Sequence, residues 1–389
     1  MKVLYIIGHG GFGGIERHVQ GILQSIDLAT IAPALCVTME DGPISQEIAK
    51  SGIPVTILHG RNGHDLRIIP KFRRLLKEFQ PDIIHAHEMQ LLVLLSLLWH
   101  PRIPVVFSIH CPVKERDQSW WKSQVILRGM LWRVNHFAGV SQFTLNTLLA
   151  VAPQTAKRSS VIFNGLSMAN IPPKDPLDVR REFGIPKNAP LVCGVGRLAE
   201  QKDWMSFLDV CAGIATANPG CHFLVAGDGP LRDALRHRAN ELGLSSNLHW
   251  LGTRMDARRL IGGSDLFLFP SLHEELPTTM LEAFAMRTPV AGFLPEGGTA
   301  EVLALSTNGR PAILLQTRDC AALTQECLSL LQVPDMATAM ADIAHDLVCR
   351  RFDMRMISAD LVTLYESLLR KSNDPTLPAA LPSCVDQNK

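Results

Sequence analysis

Apolar residues in this chain fall into short β-rich runs separated by stretches of helical period. "KVLYII", "PALCVT", "PVTIL", "PDIIHAH", "IPVVFSIH", "HFAGVS" and "SSVIFNG" read as strands, with amphipathic helices between several of them. A second series follows: "PLVCGVG", "CHFLVAGDG", "NLHWLG", "DLFLFPS", "TPVAGF" and "AILLQ". Strands that alternate with helices imply a parallel sheet covered on both faces. The predicted class is therefore α/β, with two Rossmann-like doubly wound domains facing a central cleft. Ligands of such sheets lie beyond the carboxyl ends of the strands, so the cleft is the expected site.

Proline density places the boundary. Residues 1–168 are expected to form the N-terminal domain, 169–188 a linker, and 189–351 the C-terminal domain. Residues 352–371 read as a helix packing back toward the N-terminal domain, and 372–389 as a disordered tail. The length, 389 residues, exceeds one typical core and agrees with two domains.

Composition narrows the function mainly by exclusion. A net charge of +1 provides no global field for nucleic acid. Nine cysteines without a C-x-x-C pair fit neither a disulfide framework nor a zinc site, which points to the cytoplasm. The apolar run "LLVLLSLLW" (Leu91 to Trp99) is about half a membrane span.

Gly8, Gly10 and Gly13 spell G-x-G-x-x-G directly after the first strand, and Glu40 stands where a dinucleotide fold wants an acid. Glu16 and Arg17, however, fall near the start of the next helix, where a pyrophosphate needs small residues. The alternative is a glycine loop that closes over another ligand.

The second half has more chemistry. Arg197 and Lys202 in "GVGRLAEQKDW" follow a strand, and two cations there suit a diphosphate. Asp228 in "AGDGP" reads as a capping acid. In "PSLHEELPTTMLEAFAMRTPVAGFLPEGGTAEVL", Glu274 falls in a loop and Glu282 about one turn into the following helix. "EGGTAE" supplies another glycine-flanked helix start, with Glu301 near it. Carboxylates for hydroxyl groups, together with cations and helix starts for phosphate, suit a sugar joined to a nucleoside diphosphate.

These motifs resemble, in order, those of the family-4 retaining glycosyltransferases of the two-Rossmann GT-B fold. The carriers are "GGIERH", "PDIIHAH", "FSIH", "GVSQFT", "VIFNG", "GVGRLAEQK", "AGDGP", "LGT", "DLFLFPSLHEELPTTMLEAFAMRTPV" and "EGGTAEV". The resemblance implies an acceptor-side N-terminal domain and a donor-binding C-terminal domain. It implies that Arg197 and Lys202 clamp the donor diphosphate, that Glu274 lies beside the donor sugar, and that Glu282 accepts the ribose hydroxyls. Gly298 and Thr299 resemble the loop touching sugar or phosphate, and Gly13 and Gly14 the glycine loop near the phosphates. His110 resembles the histidine facing the transferred sugar, whereas His85 and His87 read equally as satisfied core histidines. Four places depart from the family pattern: Glu275, Asp203 and Arg287 stand where glycine is frequent, and "NGLS" lacks an aspartate.

The reaction implied is hexosyl transfer from a UDP- or GDP-linked donor to a glycan or lipid-linked acceptor, with retention. It would serve bacterial surface polysaccharide or lipopolysaccharide assembly, with no cofactor or metal. Val113 to His136 joins Trp120, Trp121 and Trp132 with Lys114, Arg116, Lys122, Arg128 and Arg133, which predicts peripheral contact with the inner face of the membrane. The rival expectations are a sugar-nucleotide epimerase of the same architecture, an NAD-dependent oxidoreductase, and a non-catalytic nucleotide-sugar-binding partner.

Overall fold

The computed structural model describes residues 1–11, 13–62, 65–88, 91–97, 100, 102–113 and 120–373, without the side chains of 91, 92, 120–126 and 373. The chain divides into two compact units, Met1–Gly165 with Met354 onward, and Leu166–Asp353.

In the first unit, seven strands form one parallel sheet: β1 (Lys2–Ile7), β2 (Ala32–Val37), β3 (Val55–Ile57), β4 (Ile83–Ala86), β5 (Val105–Ile109), β6 (His136–Gly139) and β7 (Ser159–Val161). Their order is β3-β2-β1-β4-β5-β6-β7, so the winding reverses between β1 and β4. The strands are nearly continuous apolar runs because helices cover both faces; Val3 to Ile7 are fully buried. Leu4, Ile6, Phe72, Leu76, Val93, Leu97 and Phe137 belong to one core. The run beginning at Leu91 is thus a core helix, Leu91–Leu97. Among the described residues, no helix is long and apolar enough to cross a membrane.

The second unit repeats the plan with β8 (Leu191–Val195), β9 (His222–Ala226), β10 (Leu248–Gly252), β11 (Leu266–Phe269), β12 (His273–Glu274), β13 (Val290–Phe293), β14 (Glu296–Gly297) and β15 (Ile313–Leu315). The main sheet runs β10-β9-β8-β11-β13-β15, reversing between β8 and β11, and β12 pairs with β14 as a separate two-strand sheet. Trp204, Phe207, Phe223 and Phe293 anchor its core.

Two expectations need adjustment. Residues 169–188 are integral to the second unit rather than a free connection. Asp175 caps the helix Pro176–Glu182, Val179 is fully buried, and Arg180 donates to Asp265 Oδ2 at 2.6 Å and Gly263 O at 2.9 Å. The terminal helix Met354–Asn373 belongs to the first unit, where Tyr365 is fully buried; most of the expected tail lies outside the described residues.

The second adjustment concerns the expected membrane face. Arg133 is buried and donates to Leu97 O (3.1 Å), His100 O (2.9 Å) and Ile103 O (2.6 Å), so it ties the end of the helix Leu91–Leu97 to the residues leading into β5. Burial lowers its pKa to about 10. It is a structural cation and cannot face lipid. Arg128 and Trp132 are exposed, while Lys114 and Arg116 and the side chains of Trp120, Trp121 and Lys122 lie outside the described residues.

Candidate active site

Doubly wound sheets open a crevice where the winding reverses. In the second unit that point lies past β8 and β11, and the loops after these strands carry the predicted cations and acids. The β8 loop is held by the loop after β9. Gly227 takes φ +151°, and a Cβ there would stand 1.8 Å from Gly196 O. Leu198 N–H donates to Asp228 O at 3.0 Å. Asp228 pairs with Arg232 at 3.2 Å but is not the expected cap: the helix Arg232–Glu241 begins after Leu231, with no side-chain capping bond.

This frame leaves the Arg197 side chain exposed, and it forms no ion pair with a described carboxylate; its carbonyl accepts from Trp204 Nε1 at 2.9 Å. Lys202 turns inward. Its Nζ lies 2.5 Å from Glu274 Oε1, an oxygen that also accepts from Ser271 Oγ at 2.7 Å. The Glu274 side chain is only 6% exposed, so the carboxylate depends on these partners to offset lost hydration. Oε2 takes no hydrogen bond from a described residue.

Glu274 is aimed by the small sheet. It pairs with Gly297 across β12 and β14, and its carbonyl accepts from Gly298 N–H at 2.9 Å. Gly297 is at φ +120°, and a Cβ would lie 1.9 Å from Glu274 O. Glycine is therefore obligatory at this contact. Thr299 follows with a fully buried side chain whose Oγ1 has no hydrogen-bond partner. Glu282 is buried on the helix Thr278–Ala285 and accepts from Arg258 Nε at 3.0 Å, a partner absent from the sequence reading.

The departures from glycine have a backbone explanation. Asp203 and Arg287 both adopt left-handed φ, +45° and +51°. That conformation costs an L-residue roughly 1–2 kcal/mol. Asp203 offsets it by capping the next helix, accepting from Ser206 N–H at 3.3 Å and from Ser206 Oγ at 2.7 Å, and by pairing with Arg318. Arg287 pairs with Asp342. Glu275 is half-buried and has no ion pair among the described residues.

In the first unit the glycine loop follows β1. Gly10 N–H donates to Glu40 O at 2.8 Å, and Ile44 N–H donates to Gly10 O at 3.0 Å, which ties the loop to the helix Pro43–Lys50. The Glu88 carboxylate stands where a Cβ on Gly8 would be, and the Glu16 carboxylate where one on Gly13 would be. Burial and the nearby Glu88 raise the Glu16 pKa. A pyrophosphate at Gly8 or Gly13 would meet carboxylates rather than bare backbone, which disfavours NAD; Gly11 and Gly14 open onto free space.

His87 and His110 end the neighbouring strands and touch: His87 Nδ1 lies 2.9 Å from His110 Nε2. His85 is satisfied at both nitrogens, by Tyr365 Oη (2.6 Å) and Ser108 Oγ (2.8 Å), as a core histidine should be. Tyr365 also donates to Tyr5 Oη at 3.3 Å, so both of the chain's tyrosines meet here. Burial lowers the pKa of His85 to about 3 and of His110 to about 4, leaving neutral rings at pH 7.

The family model described as Glycosyltransferase Family 4 matches residues 12–169, and that described as Glycosyl transferases group 1 matches residues 189–333. The 2-deoxystreptamine N-acetyl-D-glucosaminyltransferase of Streptomyces fradiae is 28% identical over 64% of this chain, and the match spans only 63% of that enzyme. The 2-deoxystreptamine glucosyltransferase of Streptomyces kanamyceticus is 25% identical over 77% of this chain and 80% of its own length. Among solved structures, Anabaena Alr3699/HepE in complex with UDP and glucose superposes with a TM-score of 0.81 at 21% identity, covering 94% of this chain and all of that one. WaaG, a glycosyltransferase involved in lipopolysaccharide biosynthesis, gives a TM-score of 0.72 at 15% identity, covering 93% of this chain and 99% of that one. With two parallel-sheet α/β units and both halves matched in sequence, this chain belongs to glycosyltransferase family 4 (the group 1 glycosyl transferases) and has the GT-B fold.

Proposed function

We propose that the protein transfers a hexose from a UDP- or GDP-linked donor to a glycan or lipid-linked acceptor, with retention at the anomeric carbon and no metal. The observation that carries this is the cation pair of the second unit. Arg197 is exposed without a carboxylate partner among the described residues, close in sequence to Lys202, which is already drawn to Glu274. A departing diphosphate needs its growing negative charge stabilised, and Arg197 and Lys202 supply that without a divalent ion. Glu274 is aimed at the donor sugar, Glu282 takes the ribose hydroxyls, and His110 acts on the transferred sugar. UDP is favoured because Alr3699/HepE binds it.

The acceptor is placed in surface polysaccharide or lipopolysaccharide assembly, in line with a relative from Rhizobium meliloti named for lipopolysaccharide core biosynthesis. A second acceptor class, an aminocyclitol, is favoured by the two Streptomyces relatives. Action in the cytoplasm at the inner membrane face would rest on the exposed Arg128 and Trp132, and co-sedimentation with anionic vesicles tests it.

The deciding experiment is thermal denaturation with UDP, GDP and NAD, followed by nucleoside-diphosphate release from a donor panel with and without EDTA. UDP or GDP at about a hundredfold excess over Kd should add roughly 2.7 kcal/mol of stability. NAD should add none, and release should survive EDTA. An NAD shift, or activity abolished by EDTA and restored by magnesium, overturns the reading.

A further inference from the structure

Past β4 and β5, the rings of His18, His87 and His110 pack together, with centroids 5.6 Å (His18–His87), 5.7 Å (His18–His110) and 5.2 Å (His87–His110) apart. His87 is only 2% exposed, and its Nε2 has no hydrogen-bond partner. Its Nδ1 faces His110 Nε2 at 2.9 Å. Burial keeps both rings neutral at pH 7, aided at His87 by the neighbouring imidazoles, so one of them donates in this contact and the other accepts.

The two directions are not equivalent. If His110 donated, His87 would carry its proton on Nε2, leaving a buried N–H with no acceptor. Folded proteins very rarely tolerate an orphaned buried N–H. If His87 donates from Nδ1, the unpartnered Nε2 is only a bare lone pair.

We propose that His87 is a positioning residue for His110: its Nδ1–H donates to His110 Nε2 and thereby places the His110 proton on Nδ1. His110 is the partly exposed member of the pair, and no hydrogen bond from a described residue reaches its Nδ1. It therefore offers a hydrogen-bond donor from a ring whose orientation and tautomer are set from behind. The group it recognises is an oxygen acceptor, a sugar hydroxyl or ring oxygen. This rests on the reading above that His110 acts on the transferred sugar.

The test separates the two claims. Long-range 1H–15N spectra of histidine-labelled protein read the His110 tautomer directly. His87→Asn retains a donor at the same place, because its amide nitrogen is bonded to Cγ as Nδ1 is; His87→Asp replaces the donor with an acceptor. The wild type and His87→Asn should show His110 protonated at Nδ1, and His87→Asp should switch it to Nε2. His87→Asn should keep kcat within about threefold, while His87→Asp should lower it more than about tenfold with the Kd for UDP unchanged. An Nε2-protonated His110 in the wild type overturns the proposal, and that spectrum decides it even if His87→Asp fails to fold. A tautomer that switches while kcat holds upholds the positioning and overturns the place of His110 in the reaction.

Discussion

The two units share a winding plan but furnish its reversal point with opposite chemistry. In the first, the carboxyl-end halves of β1, β4 and β5 carry the neutral rings of Tyr5, His85, His87 and His110, with His18 and Tyr365 packed on them, and the Glu16 and Glu88 carboxylates flank the glycine loop. In the second, the space past β8 and β11 is organised by ion pairs, with Lys202 on Glu274, Arg258 on Glu282, Arg318 on Asp203, and Arg197 without a carboxylate among the described residues. Neutral rings and carboxylates can orient hydroxyl groups but cannot hold a diphosphate. Ion pairs with a surplus cation can hold one. The backbone topology therefore does not assign the roles of the units; the side chains at the strand ends do.

The largest effect should come from breaking the charged side of this contrast. Lys202→Met removes the proposed diphosphate partner and strands the buried Glu274 carboxylate, so kcat for sugar-nucleotide turnover should fall by about 10²–10³-fold. Product-release kinetics measure it, and a loss under tenfold would remove Lys202 from the site. Arg133→Gln attacks the first unit instead. It unties three carbonyls and should cost about 2–4 kcal/mol in urea denaturation while leaving vesicle binding unchanged.

Acid should separate the units. A buried imidazole whose folded pKa lies below its unfolded value of about 6.5 leaves the unfolded chain binding more protons, so stability falls as pH drops below about 6.5. For His85, with a folded pKa of about 3, the loss between pH 7 and pH 5 is roughly 2 kcal/mol. Hydrogen exchange should show first-unit amides losing protection before those of the second unit, where His222 and His249 are less buried and less perturbed. Equal loss in both units would erase the contrast. The smallest effect sharpens it: Arg197→Ala should weaken UDP binding by about tenfold, read by calorimetry, yet alter stability by under about 0.5 kcal/mol.

The alternation of apolar runs and helices made the main strands of both sheets readable, because a parallel strand buried on both faces leaves a local pattern. The small sheet left none. β12 and β14 are two residues each and exist only because Gly297 can lie against Glu274. Arg258 was invisible as the partner of Glu282, since the two sit 24 residues apart on consecutive helices with β11 and β12 between them. Arg133 read as a surface cation because charge on a helix suggests exposure, whereas its partners are carbonyls distant in sequence. His87 was ambiguous between core and site, and its environment reveals both: a buried ring that touches a partly exposed one.

The division of the chain has a consequence for its biosynthesis. The second unit is a continuous segment whose ends meet: Leu166 bridges Asp353, and Leu166 N–H donates to Phe352 O at 2.7 Å. Such a segment can be completed while later residues are still in the ribosome. The first unit cannot. Tyr5 is made at the outset and His85 soon after, but the hydroxyl that joins them belongs to Tyr365, in the helix that emerges after the whole second unit. The part begun first is thus the part finished last, and through most of translation its seven-stranded sheet stands open along the surface that this helix will cover.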